Sequence, residues 1–293
     1  MRSRLFDNEF LKKLEQLHIY TQRMLAGKLS GDRRSPKRGA SVEFADYRNY
    51  TPGDDFRLID WNAYARLEKL FLKMFVEEQD LIIHLFLDCS SSMACGEGRK
   101  ERFARQVAGA LAYLGLMSLE QVGVGGITTG LSHYLPPVRG REAVWKVWDF
   151  LESLPSGGQT DLNAALKGFA RYRRRQGLAV VISDFLSPAG YREGLAYLQY
   201  LGQEVIVLQV LSPEELDPPL RGDLRLVDVE TGEAEEISLT PQLLALYRKL
   251  LREYIDRLRN FCSSRNMTFL QLDSSMPLED VILRSLPKVG VLG

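Results

Sequence analysis

The stretch of residues 81–93 constrains the fold more than any other part of the chain. An almost unbroken apolar run ends at Asp88, and three serines follow within four positions. Such a run predicts a buried strand of a parallel sheet, and ligands of open α/β sheets bind beyond the carboxyl ends of the strands. The alternative is that Asp88 and the serines cap the next helix. This stretch alone leaves the two interpretations equally open.

Strand and helix patterns alternate from residue 81 towards the C-terminus. This alternation predicts an α/β fold built on a doubly wound, mostly parallel sheet that is covered on both faces. We expect residues 80–293 to form this domain, with a C-terminal helix–strand–helix extension, and residues 1–79 to form an N-terminal appendage. The predicted strands span 81–88, 122–128, 131–136 (an antiparallel edge strand), 178–182, 205–211 and 267–272, the predicted helices span 99–119, 141–154, 162–175, 189–201, 241–266 and 278–286, and a hairpin joins 224–229 to 235–239.

The composition is that of an ordinary water-soluble protein without a strong charge bias. Of the 293 residues, 45% are hydrophobic and 26% are charged, and 38 basic residues balance 38 acidic ones, which argues against nucleic acid as the partner. No signal peptide and no apolar run long enough to cross a bilayer are visible, so membrane insertion is not expected. The three cysteines lack zinc-ligand spacing and are expected to be reduced thiols. We therefore predict a cytoplasmic protein.

The predicted appendage has three parts. Residues 8–26 form an imperfect amphipathic helix, and residues 28–38 lie in a basic loop where five basic residues oppose one acidic residue. The loop is either solvated or a docking site for an acidic partner, and its role stays open. In residues 43–66, alternating Arg and Asp among aromatic residues predict a partly buried network of ion pairs and hydrogen bonds. Residues 69–78 predict a strand that folds back on the strand at 81–88.

Two further features of the sequence are its tryptophans and a long helix near the C-terminus. Trp61, Trp145 and Trp148 are expected to anchor the core rather than to bind a ligand. The long helix at 241–266 begins at Pro241, which suits the first turn of a helix. It either covers the sheet or serves as an interaction arm, and the sequence leaves its role open.

Oxygen-bearing side chains are expected to converge at one edge of the predicted sheet. Asp88 and Asp184 each end an apolar strand, and Thr160 lies in a glycine-containing loop just before a helix. Because parallel strands share a carboxyl edge, these residues and Ser90 and Ser92 should lie close together. Hard oxygen donors with two formal negative charges suit Mg²⁺, or Mn²⁺, better than zinc. The candidate metal ligands are Asp88, Ser90, Ser92, Thr160 and Asp184.

These residues also match a known pattern. Residues 88–92 form a DxSxS motif, and together with Thr160 in its Gly-Gly-x-Thr-Asp loop and Asp184 they resemble the metal-ion-dependent adhesion site of von Willebrand factor A domains. The resemblance implies that Ser90, Ser92 and Thr160 offer hydroxyl ligands, while Asp88 and Asp184 hold the metal mostly through water. It also implies a von Willebrand factor A-type sheet and a coordination position left for the carboxylate of a partner.

A second resemblance lies upstream. The segments 43–48, 50–55 and 57–66 (Glu-Phe-Ala-Asp-Tyr-Arg, Tyr-Thr-Pro-Gly-Asp-Asp and Arg-x-x-Asp-Trp followed by Ala-Arg) resemble the signature of the bacterial DUF58 family. Members join such a segment to an A-type domain and are often encoded beside MoxR-type AAA+ ATPases, which implies a partner of that class. Some relatives carry N-terminal membrane helices, and this chain departs from them.

Three functional interpretations follow. The first is a non-enzymatic, metal-dependent interaction module, an adaptor or co-chaperone of a MoxR-type AAA+ ATPase whose Mg²⁺ binds a carboxylate of the partner. The second is a hydrolase of phosphate esters, in which Asp88 and Asp184 hold Mg²⁺ and Ser90 or Ser92 is the nucleophile; it needs a base that the sequence does not supply. The third is a metal-independent scaffold in which the acids and hydroxyls only cap helices.

Overall fold

The structure is a computed structural model, and it describes residues 10, 12, 14–15, 42–51, 54–77, 81–94, 98–172, 175–219, 222–227 and 234–288. The chain divides into two compact units, Gly27–Asp80 and a larger unit of Met1–Ala26 with Leu81–Gly293. The predicted domain boundary between residues 79 and 80 stays a prediction. Most of the predicted N-terminal helix and the whole basic loop at 28–38 lie outside the described residues.

Strands and helices alternate in the larger unit, as the sequence predicts. The elements of both units are numbered together in chain order, and β1, β2 and α1 belong to the smaller unit. The described strands are β1 (Val42–Asn49), β2 (Phe71–Glu77), β3 (Ile82–Asp88), β4 (Gln121–Ile127), β5 (Leu131–Arg139), β6 (Gly177–Ser183), β7 (Gln203–Leu211), β8 (Gly222–Val227), β9 (Ala234–Leu239) and β10 (Thr268–Asp273). The described α-helices are α1 (Trp61–Leu67), α2 (Arg99–Met117), α3 (Ala143–Ser153), α4 (Leu162–Gly168), α5 (Arg192–Tyr200), α6 (Pro213–Leu216), α7 (Pro241–Ser263), α8 (Leu278–Asp280) and α9 (Leu286–Lys288). Among these helices, none is long and apolar enough to cross a membrane.

The central sheet is mostly parallel, as predicted. Its described strands lie in the order β10-β7-β6-β3-β4-β5, and only β5 runs antiparallel to its neighbour. The predicted edge strand β5 continues through Pro136 and Pro137 to Arg139, with a register shift in its pairing to β4. An edge position tolerates these prolines because a strand there leaves one row of backbone groups unpaired.

Helices cover both faces of this sheet because successive side chains of each strand point to opposite faces. On one face, Leu85 and Leu87 of β3 pack in a cluster with α2 and α3. On the other, Phe86 packs in a second cluster with α4, α5 and α7. The first cluster also contains Val107, Leu111, Val147, Leu151, Val180 and Ile182, and the second contains Leu166, Val181, Leu195, Val207 and Leu258. This arrangement confirms a mixed α/β fold with buried central strands.

The tryptophans only partly follow the prediction. Trp148 is buried, and its indole N–H donates to the carbonyl of Gly109 at 3.1 Å. Trp145 is 50% exposed and Trp61 is 60% exposed, so the expectation that they anchor the core is wrong. Trp145 lies three positions before Trp148 but off the buried stripe of α3, which Val144, Val147, Trp148 and Leu151 occupy. Trp61 is the first residue of α1, a helix without buried residues.

The smaller unit contains an antiparallel pair that the sequence did not predict correctly. Strand β2 pairs with β1 rather than with the strand at 81–88. The network predicted for residues 43–66 is confirmed in part: the Tyr47 hydroxyl donates to the buried Asp60 at 2.8 Å, whereas Arg48 pairs with Asp54 at 2.7 Å in an exposed position. Asp60 also caps the N-terminus of α1 by accepting from two backbone N–H groups. The charges of this segment therefore stabilise its own turns.

His84 is a titratable group inside the sheet. His84 of β3 is buried against Phe169, and its Nδ1 lies 3.0 Å from the Tyr134 hydroxyl. Burial lowers the pKa of His84 to about 4, because an imidazolium there would lose its hydration. The unfolded chain therefore binds this proton more tightly than the folded protein does.

Acidification should destabilise the protein through His84. Between pH 6.5 and about 4 the free energy of unfolding should fall by up to on the order of 3 kcal/mol through this group, because protonation favours the unfolded chain. In His84→Gln, whose amide can still meet Tyr134, that part of the acid slope should be absent. Denaturant unfolding of both proteins over this pH range measures it. Equal slopes for the two proteins would contradict the assignment.

Candidate metal centre

The candidate site lies at the point where the strand order of the sheet reverses. The chain leaves β3 for β4 on one side, whereas β6 pairs with β3 on the other side. Ligands of open α/β sheets bind at such a switch point, beyond the carboxyl ends of the strands. Asp88 ends β3, Asp184 directly follows β6, and Thr160 stands two positions before α4.

The carboxylate of Asp88 accepts hydrogen bonds from three neighbouring residues. Its Oδ1 accepts from the backbone N–H of Ser90 at 3.0 Å and from the Thr160 hydroxyl at 2.9 Å. Its Oδ2 accepts from the Ser183 hydroxyl at 2.6 Å. The hydroxyls of Ser90 and Ser92 lie 3.0 Å apart. The structure thus brings together Asp88, Ser90, Ser92 and Thr160, as the sequence predicts.

Backbone hydrogen bonds join the two loops that supply these side chains. The N–H of Gly157 donates to the carbonyl of Cys89 at 2.8 Å, and Ser91 and Gly158 exchange two bonds, N–H to carbonyl at 2.9 Å and N–H to hydroxyl at 2.8 Å. Both glycines have positive φ, 112° and 88°, a backbone conformation that favours glycine. The glycine pair therefore lets the second loop approach the first and places Thr160 beside Asp88.

Arg105 of α2 fixes the start of the second loop. Its buried guanidinium donates to the carbonyls of Leu151 and Leu154, at the end of α3, the second at 3.0 Å. Its Nη2 also pairs with Glu101 at 2.5 Å and bonds to the Ser156 hydroxyl at 3.1 Å. A guanidinium in this place satisfies carbonyls that a helix end leaves without partners. The loop leading to Thr160 thus starts from a fixed point.

Asp184, the fifth predicted ligand, lies at the same edge with a cation on its carboxylate. Its Oδ2 lies 2.9 Å from the ammonium of Lys100, and its Oδ1 accepts from the N–H of Leu186 at 3.0 Å. Its carbonyl accepts from the side-chain amide of Gln209 at 3.0 Å. Asp184 is close enough to Asp88 for its charge to raise the pKa of that residue.

Two residues that contact the predicted ligands, Lys100 and Ser183, were not predicted from the sequence. A signal for Lys100 was present, because it stands at helical spacing from Phe103, Ala104 and Val107, on the buried stripe of α2. A lysine on a buried stripe requires an acidic partner, and two lie within reach. Ser183 is the last residue of β6, and its pairing beside β3 brings its hydroxyl to Asp88.

The electrostatics of Asp88 are unfavourable for a bare carboxylate. The side chain is 1% exposed, and burial, with a smaller contribution from Asp184, raises its pKa above the ordinary value; the hydrogen bonds from Ser183 and Ser90 offset part of this shift. Among the residues that the structure describes, no cationic side chain contacts Asp88. Its hydrogen-bond donors are neutral hydroxyl and backbone groups.

The donor set fits a hard divalent cation. The oxygens of Asp88, Ser90, Ser92 and Thr160 are gathered in one place, and hydroxyl oxygens keep lone pairs after donating their proton. The side-chain amide of Gln209 contacts the carbonyl of Asp184 at 3.0 Å, and its Oε1 is buried without a hydrogen-bond partner in the described part of the chain. No three His, Cys, Asp or Glu side chains cluster as a metal site within the described residues, so a metal here would rely on hydroxyl ligands. Such ligands suit Mg²⁺ or Mn²⁺.

Comparison with known proteins gives the family of the chain. Uncharacterized proteins from Mycobacterium tuberculosis and Mycobacterium bovis are each 31% identical over 248 residues, which cover 83% of this chain and 78% of theirs. The crystal structure of the conserved hypothetical protein BatB from Bacteroides thetaiotaomicron aligns with 72% of this chain and 98% of its own, with 16% identity and a TM-score of 0.45. The sequence profile described as "Protein of unknown function DUF58" matches residues 46–254. The chain is therefore a member of the DUF58 family.

Proposed function

We propose that the protein is a metal-dependent interaction module of the von Willebrand factor A type, in which Mg²⁺ or Mn²⁺ binds a carboxylate of a protein partner. The observation that carries this proposal is the buried carboxyl group of Asp88, which lies amid hydroxyl oxygens at the switch point of the sheet and which no cationic side chain contacts in the part of the chain that the structure describes. Burying a carboxylate without a counter-charge is strongly unfavourable. A divalent cation would supply that charge and use the hydroxyls as ligands.

The charge of the site favours recognition of an anionic group. Ser90, Ser92 and Thr160 are neutral ligands, and the carboxylate of Asp184 is already paired with Lys100. A metal held this way keeps part of its positive charge and part of its water shell, which an incoming carboxylate can replace. Ser92 is half-buried, and Gly158 and Gln159 beside the site are exposed, so a partner has access from the solvent.

Hydrolysis receives less support from the same geometry. A serine nucleophile needs a base that takes its proton. Of the histidines in the described part of the chain, His84 meets Tyr134 inside the sheet and His133 meets Ser132 on β5. The Ser90 and Ser92 hydroxyls contact each other instead. We therefore propose binding rather than catalysis at this edge.

The partner class rests on the family resemblance. A MoxR-type AAA+ ATPase, or its client, would present an Asp or Glu side chain to the metal, and the protein would act as its adaptor or co-chaperone in the cytoplasm. The metal would make this binding conditional on Mg²⁺. The two alternatives are separated by experiment: a hydrolase turns over phosphate esters, and a scaffold binds its partner without metal.

Neutralising Asp88 should stabilise the metal-free protein. In EDTA at pH 7.5, Asp88→Asn should unfold with a free energy higher by about 1–2 kcal/mol, because a buried charge is removed. The difference should shrink as the pH falls towards the ordinary carboxyl pKa of 3.8, because the raised pKa of Asp88 means that wild type then takes up a proton and regains stability. Chemical denaturation of both proteins at several pH values measures it.

Added Mg²⁺ supplies the second half of this test. It should raise the melting temperature of wild type and leave that of Asp88→Asn unchanged, because the variant lacks the anionic ligand. An Asp149→Asn variant, altered at an exposed acid on α3, is the matched control and should respond like wild type. A lower stability of Asp88→Asn in EDTA, together with an equal Mg²⁺ response, would show that Asp88 is only a structural cap.

Partner binding should depend on the same metal. Pull-down of a MoxR-type ATPase from the same genome should succeed with Mg²⁺ and should lose at least about tenfold in recovery with EDTA or with Asp88→Ala, because a coordinate bond to the partner is lost. Asp149→Ala should bind like wild type. Equal recovery under all of these conditions would contradict metal gating and favour the metal-independent scaffold.

A further inference from the structure

Lys100 is a fully buried cation that contacts Asp184, one of the predicted metal ligands. It is the second residue of α2 and has no exposed surface. Its ammonium lies 2.9 Å from Asp184 Oδ2 and 2.7 Å from Glu215 Oε1. A buried lysine is tolerated only when acids compensate its charge, and these two residues do so.

Both acids are held in place by other groups. Asp184 Oδ1 accepts from the N–H of Leu186, and Glu215 Oε2 accepts from the N–H of Ser212 at 2.7 Å in a capping box at the start of α6. The Tyr247 hydroxyl of α7 donates to the carbonyl of Glu215 at 2.7 Å. The ammonium is therefore fixed between two anchored carboxylates and cannot easily leave Asp184.

We propose that Lys100 sets the metal affinity of the site, by holding the Asp184 carboxylate away from the inner coordination shell and by adding a positive charge that disfavours a second cation. This inference rests on the proposed function, because it requires a metal at Asp88. Removing Lys100 should therefore tighten metal binding, whereas a lysine that only supports the fold would loosen the site when removed. The sign of the effect separates the two roles.

Glu215 acts in the opposite direction. Its carboxylate offsets the charge of Lys100, so the net charge that these two side chains present to a metal is close to zero. Loss of Glu215 alone leaves the ammonium less compensated and should weaken metal binding. A site with moderate affinity gains more from a carboxylate that a partner adds, and by linkage the metal and the partner then strengthen each other's binding.

An adjacent ion pair offers a matched control. Arg99 and Glu214 are the immediate neighbours of Lys100 and Glu215, and they also join α2 to α6, at 2.9 Å. Both side chains are exposed, so solvent screens their charges. Arg99→Met and Glu214→Gln change the same formal charges on the same two elements without altering the buried pair.

The experiment is a titration of the full chain with Mn²⁺ at pH 7.5. Binding is measured by calorimetry and by the decrease of the electron paramagnetic resonance signal of free Mn²⁺. Lys100→Met should lower the dissociation constant by about tenfold or more, and Glu215→Gln should raise it by about three- to tenfold. Arg99→Met and Glu214→Gln should stay within about twofold of wild type. Circular dichroism melts establish that each variant is folded, and Glu215→Gln carries the test if Lys100→Met does not fold.

The outcomes separate this inference from the proposed function. Binding by wild type with a tighter Lys100→Met supports the inference, as does binding by Lys100→Met alone. If Lys100→Met does not fold, a weaker Glu215→Gln supports the inference. Binding by wild type with folded variants that bind equally, or with a weaker Lys100→Met, overturns the inference and leaves the proposed function standing. Absence of binding by wild type and by every folded variant overturns both.

Discussion

The structure depends on one unfavourable feature, a carboxylate buried at the end of the central strand. Asp88 is shielded from water by the loops that follow β3 and precede α4, and its hydrogen bonds come from neutral groups. A charge in this position weakens the fold unless a cation joins it. Proteins retain such groups where function requires them. The buried carboxylate, together with the motif, therefore marks this edge of the sheet as the candidate functional site.

The site is connected to the rest of the larger unit through Asp184 and the residue after it. Phe185 has a positive φ of 61°, unusual for a bulky residue, and its N–H donates to the Ser183 hydroxyl at 2.9 Å. The Tyr254 hydroxyl of α7 donates to its carbonyl. A second tyrosine of α7, Tyr247, bonds to Glu215, the acid that faces Lys100. The long helix therefore contacts both segments that position the Asp184 carboxylate.

Periodicity predicted most of the fold, because it follows from local rules. The apolar runs of β3, β6 and β7 and the stripes of the long helices appear where the sequence places them. The sequence also predicted that Asp88, Ser90, Ser92 and Thr160 lie close together, because the strand ends of a parallel sheet share one edge. It did not predict β1 or the exposure of Trp61 and Trp145, since strand pairing over a distance and the choice of a buried helix face depend on packing partners.

The failure to predict Lys100 has a different cause. Lys100 looked like an ordinary charged residue near a helix start, and only its spacing to Phe103 and Val107 marks it as buried. Its partners Asp184 and Glu215 are 84 and 115 positions away. No local pattern identifies an ion pair of that kind. Electrostatic roles at a site emerge only when the tertiary structure places the charges.

Anomalous diffraction from crystals grown with Mn²⁺ would show whether a cation binds beside Asp88. We expect one strong anomalous peak at a coordination distance of about 2.1 Å from oxygens among Asp88, Ser90, Ser92 and Thr160, with Lys100 still paired to Asp184. Absence of a peak at these residues in crystals that are saturated with Mn²⁺, with the Asp88 carboxylate bonded only to Ser90, Thr160 and Ser183, would contradict this expectation.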